Sequence, residues 1–468
     1  MGKRGPSGRK KLMTDILPFF ILGHARSGTT AFARLLNASD RLACMYHESN
    51  VLLRLWQMLS RMDIFNEPLD DLVEDFRTTA HHNLHAPSGF IGSRKIYFSS
   101  ESIEKLVDIV RLSFDGENDP LKIFQRVSRS FFQIFYEHSA CRILGDKVPD
   151  YSVIPEIVTS PHPACNLLVL HRDPRAVVNS SLMFNKDTLH LFASSNAFAM
   201  GVSLALRELA LKAFLDEFPG ERILQVEHER LLESPGRVAE RALTFLDISP
   251  LDGGIIDYID KRIEKESPVR NWQREMSDGD KNAVYAAYMG FGLKKCFADS
   301  IKTSGGSFYL DMAMGLNDLF KAPEGNRHSV FTYLNAYCRR ESALSTLGFS
   351  LTKIADFLHM RGQLNKSKFF FEKALALLPQ DPALWFKYGV LCMDTKDLLL
   401  SQSAFQKAVS CCPDTGYYRL LQTKIWYYLG RVARLSGDNE TAVSRYQKAL
   451  DVFPDFNLAR SMIKMMGA

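Results

Sequence analysis

One segment constrains the fold of this chain more than any other. It is the apolar run ILPFFIL at residues 16–22, followed directly by GHARSGTT at residues 23–30 and then by a helical pattern. An apolar run that leads into a glycine-bounded loop and a helix predicts the strand, turn and helix from which parallel sheets are built. The loop has the frame of a phosphate-binding loop, G-x-x-x-x-G-K-S/T, but Thr29 stands where the lysine belongs and Arg26 lies inside the loop.

Two further apolar runs have strand length, NLLVL at residues 166–170 and RILQV at residues 222–226. Each leads into a loop with a helical pattern beyond it, as the first run does. This alternation predicts an α/β, P-loop-like three-layer domain, in which helices cover both faces of a parallel sheet. Ligands of such domains bind beyond the carboxyl ends of the strands, so the polar residues after these runs are candidates for one site.

The loop after the first run favours an anionic ligand. Backbone amides from Ser27 through Gly28 to Thr30 should line the start of a helix, where the partial positive charge attracts an anion, and Thr29 and Thr30 add hydroxyl donors. A nucleoside-triphosphate enzyme would need the missing lysine and a magnesium ligand. Arg26 instead supplies a fixed charge, suited to a phosphate-like group that is transferred without a metal.

Two segments together resemble a known family. FFILGHARSGTTAFARLL resembles the 5′-phosphosulfate loop of sulfotransferases that use 3′-phosphoadenosine 5′-phosphosulfate, in the arginine form of tyrosylprotein sulfotransferases and bacterial relatives. LLVLHRDPRAVVNSSLM at residues 167–183 resembles the 3′-phosphate segment of that family, which implies that Arg172 and Ser180 hold the 3′-phosphate. Asp173 and Pro174 also suit the start of a helix there. Phe184 departs from the family pattern, which has a basic residue at this place.

The resemblance also implies catalytic residues. LGDKVPDYSVIPEI at residues 144–157 resembles the N-K-x-P segment of the family, with Asp146 in place of asparagine, so Lys147 is expected to stabilise the transferring group. Glu48 lies 22 residues after Arg26, close to the place of the catalytic glutamate in the tyrosylprotein type. A slip of one residue would put His47 there instead, and both remain candidates for the base, with Glu48 favoured.

Weaker matches extend the resemblance to roughly residues 16–275. ILQVEHERLLESP at residues 223–235 resembles a segment whose tyrosine lies near the adenine, and His228 occupies that position here. VRNWQRE at residues 269–275 resembles a late loop that closes over the nucleotide, which implies roles for Trp272 and for Arg270 or Arg274. A plain core position is the alternative for Trp272.

The resemblance implies in-line transfer of a sulfuryl group from 3′-phosphoadenosine 5′-phosphosulfate to a hydroxyl or amine of a small molecule, glycan or peptide. Glu48 would act as base, with Arg26 and Lys147 stabilising the leaving phosphate and no metal required. A P-loop kinase of a small molecule and an interaction scaffold with an inactive nucleotide domain are the alternatives. The histidines of AHHNLH are expected to line a polar surface rather than bind a metal; they are His81, His82 and His85.

The last third of the chain repeats itself. Apolar segments ending at Pro379, Pro413 and Pro454 lie 34 and 41 residues apart, and 34 is the tetratricopeptide period. Counted back from each proline, the large, small and aromatic positions of that motif fall on Leu351, Ala355, Ser367, Phe371 and Ala374, on Trp385, Gly389, Ser401, Phe405 and Ala408, and on Trp426, Gly430, Ala442, Tyr446 and Ala449. The expected domains are a basic tail (1–15), a sulfotransferase domain (16–300), a helical connector (301–345) and about three tetratricopeptide repeats with a capping helix (346–468). The repeats are candidates for binding a protein partner.

Composition indicates which classes of partner and which cellular location to expect for the protein. Of the net charge of +5 on 468 residues, the first eleven residues hold five positive charges, so the rest is near neutral and general nucleic-acid binding is not expected. The N-terminus lacks the pattern of a signal peptide, and no run approaches the roughly 18 apolar residues of a membrane span. The eight cysteines are mostly scattered, which predicts reduced thiols and a cytoplasmic location.

Overall fold

The structure is a computed structural model. It describes residues 16–45, 51–65, 69–84, 97–148, 161–188, 196–248, 253–263, 271–293, 307–340 and 343–467. The predicted basic tail at residues 1–15 lies outside this range. The chain divides into two compact units, and each is described by itself.

The first unit contains a sheet of five parallel strands in the order β2-β3-β1-β4-β5. The strands are β1 (Leu17–Leu22), β2 (Leu42–Cys44), β3 (Ile143–Val148), β4 (Asn166–His171) and β5 (Ile223–Glu227). The three strands predicted from apolar runs are β1, β4 and β5, and the predicted parallel α/β sheet is confirmed. β1 lies at the centre of the sheet, and its residues 18–22 are buried, as a strand covered on both faces requires.

Sequence patterns did not reveal β2 and β3. β2 has only three residues, and β3 reads ILGDKV, in which a glycine and two charged residues interrupt the apolar pattern. The ring of Phe19 on β1 lies against the bare Cα of Gly145 in the facing register position, so no larger residue fits there. Asp146 and Lys147 are buried although they are charged. β3 therefore carries polar groups into the centre of the fold, which is typical of a functional strand rather than a packing strand.

Helices surround this sheet in the first unit. They are α1 (Thr29–Asn37), α2 (Val51–Phe65), α3 (Leu69–Leu84), α4 (Ser100–Ser113), α5 (Pro120–Ser139), α8 (His228–Glu233), α9 (Pro235–Phe245) and α10 (Gly253–Tyr258), although the last residues of α2 belong to the second unit. Buried phenylalanines on one face of α5 pack toward the sheet, and Phe132 meets Phe20 of β1 edge to face at 5.8 Å between ring centroids. Polar side chains start several helices, and Asp119 accepts a 2.9 Å hydrogen bond from the backbone N–H of Leu121 at the start of α5.

The second unit is entirely helical within the described residues, as predicted for the end of the chain. Its helices are α6 (Pro174–Thr188), α7 (Ala197–Glu217, as far as residue 211), α11 (Asn271–Glu275), α12 (Asp278–Gly290), α13 (Ser307–Lys321), α14 (Glu324–Arg340), α15 (Leu344–Met360), α16 (Leu364–Leu377), α17 (Pro382–Asp394), α18 (Leu398–Cys411), α19 (Arg419–Leu435), α20 (Asn439–Val452) and α21 (Asn457–Met465). The first half of α7, residues 197–206, is apolar on nearly all sides and packs in one continuous core with α12, α13 and α15. No helix in the described part of the chain is both long enough and apolar enough to cross a bilayer.

The predicted repeat positions meet across helix pairs. In the pairs α17–α18 and α19–α20, an added Cβ at Gly389 would lie 2.6 Å from Cε1 of Phe405, and one at Gly430 would lie 2.5 Å from Cε1 of Tyr446. The hydroxyl of Ser401 donates a 2.8 Å hydrogen bond to the carbonyl of Gly389, and Ser367 donates one of the same length to Ala355 in the pair α15–α16. Small residues thus allow each pair to pack closely, as the repeat pattern requires.

The boundary between the compact units differs in position from the predicted domain boundaries. The second unit takes in residues 173–211 as well as 270–468, so α6 and most of α7 group with the C-terminal helices. The three pairs from α15 to α20 and the final helix α21 fall within the region predicted as repeats and cap. The domain limits and the tetratricopeptide identity stay predictions.

Candidate functional site

The carboxyl ends of four neighbouring strands carry the predicted functional residues of the first unit. The loop at residues 23–28 follows β1, Lys147 lies at the end of β3, Arg172 follows β4 and His228 follows β5. The register pairs Ile21 with Lys147 and Leu22 with Val169. Because parallel strands end at one edge of a sheet, these residues meet although they are far apart in sequence.

The loop after β1 makes a tight turn before α1. The backbone N–H of Ser27 donates a 2.9 Å hydrogen bond to the carbonyl of His24, and the backbone is left-handed at Arg26 (φ 71°) and at Gly28 (φ 94°). A left-handed arginine costs on the order of 1–2 kcal/mol and persists only where its surroundings enforce it. The first amides of α1 lack helical acceptors and carry the positive end of the helix dipole, so they suit an anion.

Ser27 supports the anion-binding interpretation of the loop. Its hydroxyl Oγ is fully buried and has no hydrogen-bond partner within the described residues. A buried hydroxyl without a partner is costly, and a ligand oxygen or a water in the cradle would relieve that cost.

Lys147 reaches the first turn of α1. Its ammonium Nζ donates a 2.7 Å hydrogen bond to the hydroxyl Oγ1 of Thr30, and the residue is only 4% exposed. The backbone N–H of Lys147 also donates a 2.8 Å bond to its neighbour Asp146. The structure therefore places this charge beside the helix start. Its action on a transferring group stays a prediction. The contact with Thr30 could not be foreseen from the sequence.

Arg172 contacts the loop directly. Its Nη1 donates a 2.6 Å hydrogen bond to the backbone carbonyl of Arg26, which is the left-handed residue of the turn. Arg26 is exposed in the loop and Arg172 is half-buried. Arginine side chains in this arrangement present fixed donors to phosphate-like oxygens.

His228 packs against the other side of the turn. A Cβ at Gly28 would collide with Cδ2 of His228 and lie 2.8 Å from its Nε2. Burial, together with the positive charge of Arg172, lowers the pKa of His228 to about 4, so the ring is neutral at pH 7. The family resemblance implies a place near an adenine for His228; the structure shows its ring against Gly28 of the loop, and the adenine contact stays a prediction.

The segment at residues 167–183 that resembles a 3′-phosphate site is divided between the two units, and residues 173–183 belong to the second. Asp173 begins α6: it accepts a 2.8 Å hydrogen bond from the backbone N–H of Arg175 and pairs with the guanidinium of the same residue. Arg175 is buried, and its Cζ lies 4.5 Å from the ring centroid of Trp272. Arg175 was not among the predicted site residues, although the spacing R-D-P-R offered a signal. This cation–π contact gives Trp272 a packing role, and its contact with a nucleotide stays a prediction.

Several predicted site residues receive less support from the structure. Ser180 is half-buried on α6, and its clasp with Arg172 stays a prediction because the two residues belong to different compact units. Glu48, His47 and Arg270 lie outside the described residues, so the choice of base is still open. Arg274 is exposed on α11.

Of the three histidines in AHHNLH, His81 is paired with an acid. Its Nε2 lies 2.8 Å from Oε1 of Glu104, which also bonds Arg77. His85 lies outside the described residues. This pairing joins α3 to α4 and gives His81 a structural role at the helix surface.

Comparison with known proteins identifies a family and a set of similar folds. The profile described as the sulfotransferase family matches residues 18–252. Among solved structures, a sulfotransferase domain from the curacin biosynthetic pathway shares 19% identity over 54% of this chain and 80% of its own, with a TM-score of 0.34. A sulfotransferase from Mycobacterium tuberculosis shares 16% identity over 57% and 79%, with a TM-score of 0.33. One from Alicyclobacillus acidocaldarius shares 17% over 58% and 95%, with a TM-score of 0.28. No curated protein sequence matches the chain.

Proposed function

Because the chain belongs to the sulfotransferase family, we propose that it transfers a sulfuryl group from 3′-phosphoadenosine 5′-phosphosulfate to a hydroxyl or amine. One observation supports this most strongly: the loop amides with Arg26, Lys147 and Arg172 lie at the ends of the three adjacent strands β1, β3 and β4. When bound, the donor supplies an activated sulfuryl group on a phosphate leaving group. The loop, Lys147 and Arg172 would hold its phosphates.

The site fits such a ligand in its chemistry. The amides at the start of α1, the buried hydroxyl of Ser27 and the cations nearby all favour an anion. The lysine that a nucleoside-triphosphate loop carries is replaced by Thr29, which is buried at the first position of α1. This replacement disfavours the kinase alternative, since a kinase needs that charge on the β- and γ-phosphates.

In an in-line transfer, different residues of the chain remove the proton of the acceptor and stabilise the charge on the leaving group. Glu48, four residues after the end of β2, accepts the proton of the acceptor hydroxyl or amine as the new bond to sulfur forms; His47 is the alternative base. Arg26 and Lys147 stabilise the negative charge that develops on the oxygen left behind on the phosphate. Thr30 orients the ammonium of Lys147 through their hydrogen bond. Charge-assisted hydrogen bonds of this kind contribute about 1.5–3 kcal/mol each.

The helical region would then serve as a partner-binding or assembly module. We propose that α15 to α20 are three tetratricopeptide repeats, capped by α21, because the contacts of Gly389 and Gly430 follow the repeat pattern. The acceptor is a small molecule, glycan or peptide, and a protein partner could dock on the repeats. An interaction scaffold with an inactive first domain is disfavoured by the intact site cations. A cytoplasmic location and transfer without a metal stay part of this proposal.

Calorimetry tests the proposal directly. The full chain is titrated with adenosine 3′,5′-bisphosphate and with ATP plus Mg²⁺, and transfer is then followed from a labelled donor to a panel of acceptors. We expect binding of the bisphosphate and weak or no binding of ATP. Preferential binding of ATP would favour the kinase alternative, and binding of neither nucleotide would favour the scaffold.

A further inference from the structure

We propose that Arg172 is a positioning residue that holds the anion-binding loop in shape through the carbonyl of Arg26. The Nη1···O distance is 2.6 Å, and 146 residues separate the two in sequence. This role is distinct from the 3′-phosphate contact that the family resemblance implies. It rests on the proposed function only for its effect on catalysis, because the effect on the loop can be measured without any ligand.

The loop conformation needs an external support. Arg26 and Gly28 are both left-handed, and Arg26 has a side chain that disfavours this conformation. Within the loop, the Ser27 N–H bond to the carbonyl of His24 closes the turn. The carbonyl of Arg26 belongs to the same peptide group as that N–H, so the guanidinium of Arg172 fixes the plane of this peptide group from its opposite side.

The sheet brings Arg172 to this position. β4 pairs with β1 up to Leu22 and Val169, and then continues for two residues before Arg172. Gly23, the first residue of the loop, lies against this overhang, since a Cβ at Gly23 would lie 3.0 Å from the carbonyl oxygen of Leu170. The ring of His228 packs against Gly28 at the end of the neighbouring strand β5. The turn is therefore held by residues from the ends of both β4 and β5.

The chemistry of arginine suits this double task. A guanidinium has five N–H donors in a rigid fork, so one can hold a carbonyl while others face an anion. A lysine has the charge, but its compact ammonium on a flexible stem cannot reproduce this fork. Holding the Arg26–Ser27 peptide also sets where the Arg26 side chain begins. Loss of the contact should thus weaken both the amide cradle and the placement of the Arg26 charge.

Hydrogen exchange on the full chain without nucleotide tests the support. In Arg172→Gln, we expect the amides of residues 24–30 to exchange about tenfold faster or more, with no change in α5. Arg222→Gln is the matched control, because Arg222 Nη1 makes the same type of bond, 3.1 Å to the carbonyl of Pro163, away from the loop. Unchanged exchange of the loop in a folded Arg172→Gln would overturn the proposal. If that variant does not fold, Arg172→Lys is measured in its place, with intermediate exchange expected and wild-type exchange counting against the proposal.

Nucleotide binding separates positioning from 3′-phosphate contact. Adenosine 5′-phosphate lacks the 3′-phosphate, yet we expect Arg172→Gln to weaken its binding about tenfold, and to weaken binding of adenosine 3′,5′-bisphosphate by at least as much. In transfer assays, kcat should fall as well as the affinity for the donor, because the Arg26 charge is displaced. A loss confined to the bisphosphate, or to KM for the donor, would overturn the positioning role. If the wild type binds neither nucleotide, the proposed function fails, and the exchange experiment alone decides on the support.

Discussion

Lys147 Nζ and Thr30 Oγ1 are joined by a hydrogen bond of 2.7 Å, which connects the end of β3 to the first turn of α1. The two residues are 117 positions apart in the chain. The bond sets a buried positive charge beside the amides of a helix start, where an anion would be stabilised most. The bond links the segment at residues 144–157 to the phosphate-binding-type loop at residues 23–30. It also gives the side chain of Thr30 a role in addition to that of its backbone amide.

Replacement of Lys147 should lower the rate of catalysis sharply and leave the fold intact. We expect Lys147→Met to lower kcat for sulfuryl transfer about 10²- to 10³-fold, because methionine keeps the apolar stem but not the charge. Lys105→Met is the control, since Lys105 pairs with Glu137 on the exposed surface of α4 and α5. Circular dichroism and kcat are measured for both variants. Full turnover in Lys147→Met would contradict the assigned role.

Thr30 should act through Lys147. We expect Thr30→Val to lower kcat about tenfold, because the ammonium loses the acceptor that orients it, and Thr30→Ser to restore most of the activity. A double-mutant cycle with Lys147→Met measures the coupling. If Thr30→Val costs as much in the Lys147→Met background as in the wild type, the two residues act independently.

Gly28 should tolerate no side chain. Gly28→Ala combines a left-handed backbone with a collision against His228, and we expect loss of nucleotide binding together with lower stability. Gly116→Ala separates the two causes, because Gly116 is also left-handed (φ 72°) but has open space around its Cα. Thermal unfolding and calorimetry are compared for both. Addition of His228→Ala to Gly28→Ala should recover stability; no recovery would show that the collision is not the cause.

Two histidines, His228, which is buried, and His162, which is partly buried, should make stability fall in mild acid. Burial lowers the pKa of His228 and of His162 to about 4, with Arg172 and Arg129 respectively adding to the effect. The unfolded chain binds these protons near pH 6.5, so the contribution of these two histidines to the free energy of unfolding is constant above that pH and decreases as pH falls toward 4. Each histidine accounts for about 3 kcal/mol over that window.

Urea unfolding between pH 7.5 and 4.5 measures this dependence. His162 bonds Ser128 at 3.1 Å and packs against the ring of Phe132, so His162→Gln should be less stable at neutral pH but should show a shallower decrease in acid. If the free energy of unfolding falls as steeply with pH in this variant as in the wild type, His162 takes up its proton at the same pH in the folded and the unfolded chain, and its pKa is not lowered by folding.

Adding a methyl group where the two helices of a pair lie closest should destabilise the protein. Alanine normally stabilises a helix by about 1 kcal/mol relative to glycine, but at Gly389 its Cβ would lie 2.6 Å from the ring of Phe405. We therefore expect Gly389→Ala to lower the free energy of unfolding by about 1–3 kcal/mol. Gly325→Ala on α14, where nothing lies within 4 Å, should be neutral or slightly stabilising. Equal thermal shifts in the two variants would argue against close packing of α17 and α18.

Local patterns in the sequence were enough to predict three of the five strands, the start of α6, the helical repeat region and the anion-binding loop. β1, β4 and β5 could be predicted because they are nearly continuous apolar runs, and the start of α6 at Asp173 and Pro174 because that pair is suited to a helix N-terminus. The period of the prolines after Pro379 indicated a helical repeat region, and the region is all-helical. The loop from Gly23 to Thr30 was recognised because its chemistry lies in consecutive residues.

Only the tertiary structure decided which of these residues meet. β3 was missed because Gly145, Asp146 and Lys147 break the local apolar pattern that marks a strand. The partners of two of them lie in other elements: the ring of Phe19 on β1 packs against Gly145, and Lys147 bonds Thr30 on α1. The bonds of Lys147 to Thr30 and of Arg172 to Arg26 depend on the strand order β2-β3-β1-β4-β5. That order follows from packing energies summed over the whole sheet, whereas side-chain periodicity reports only on neighbours in the chain.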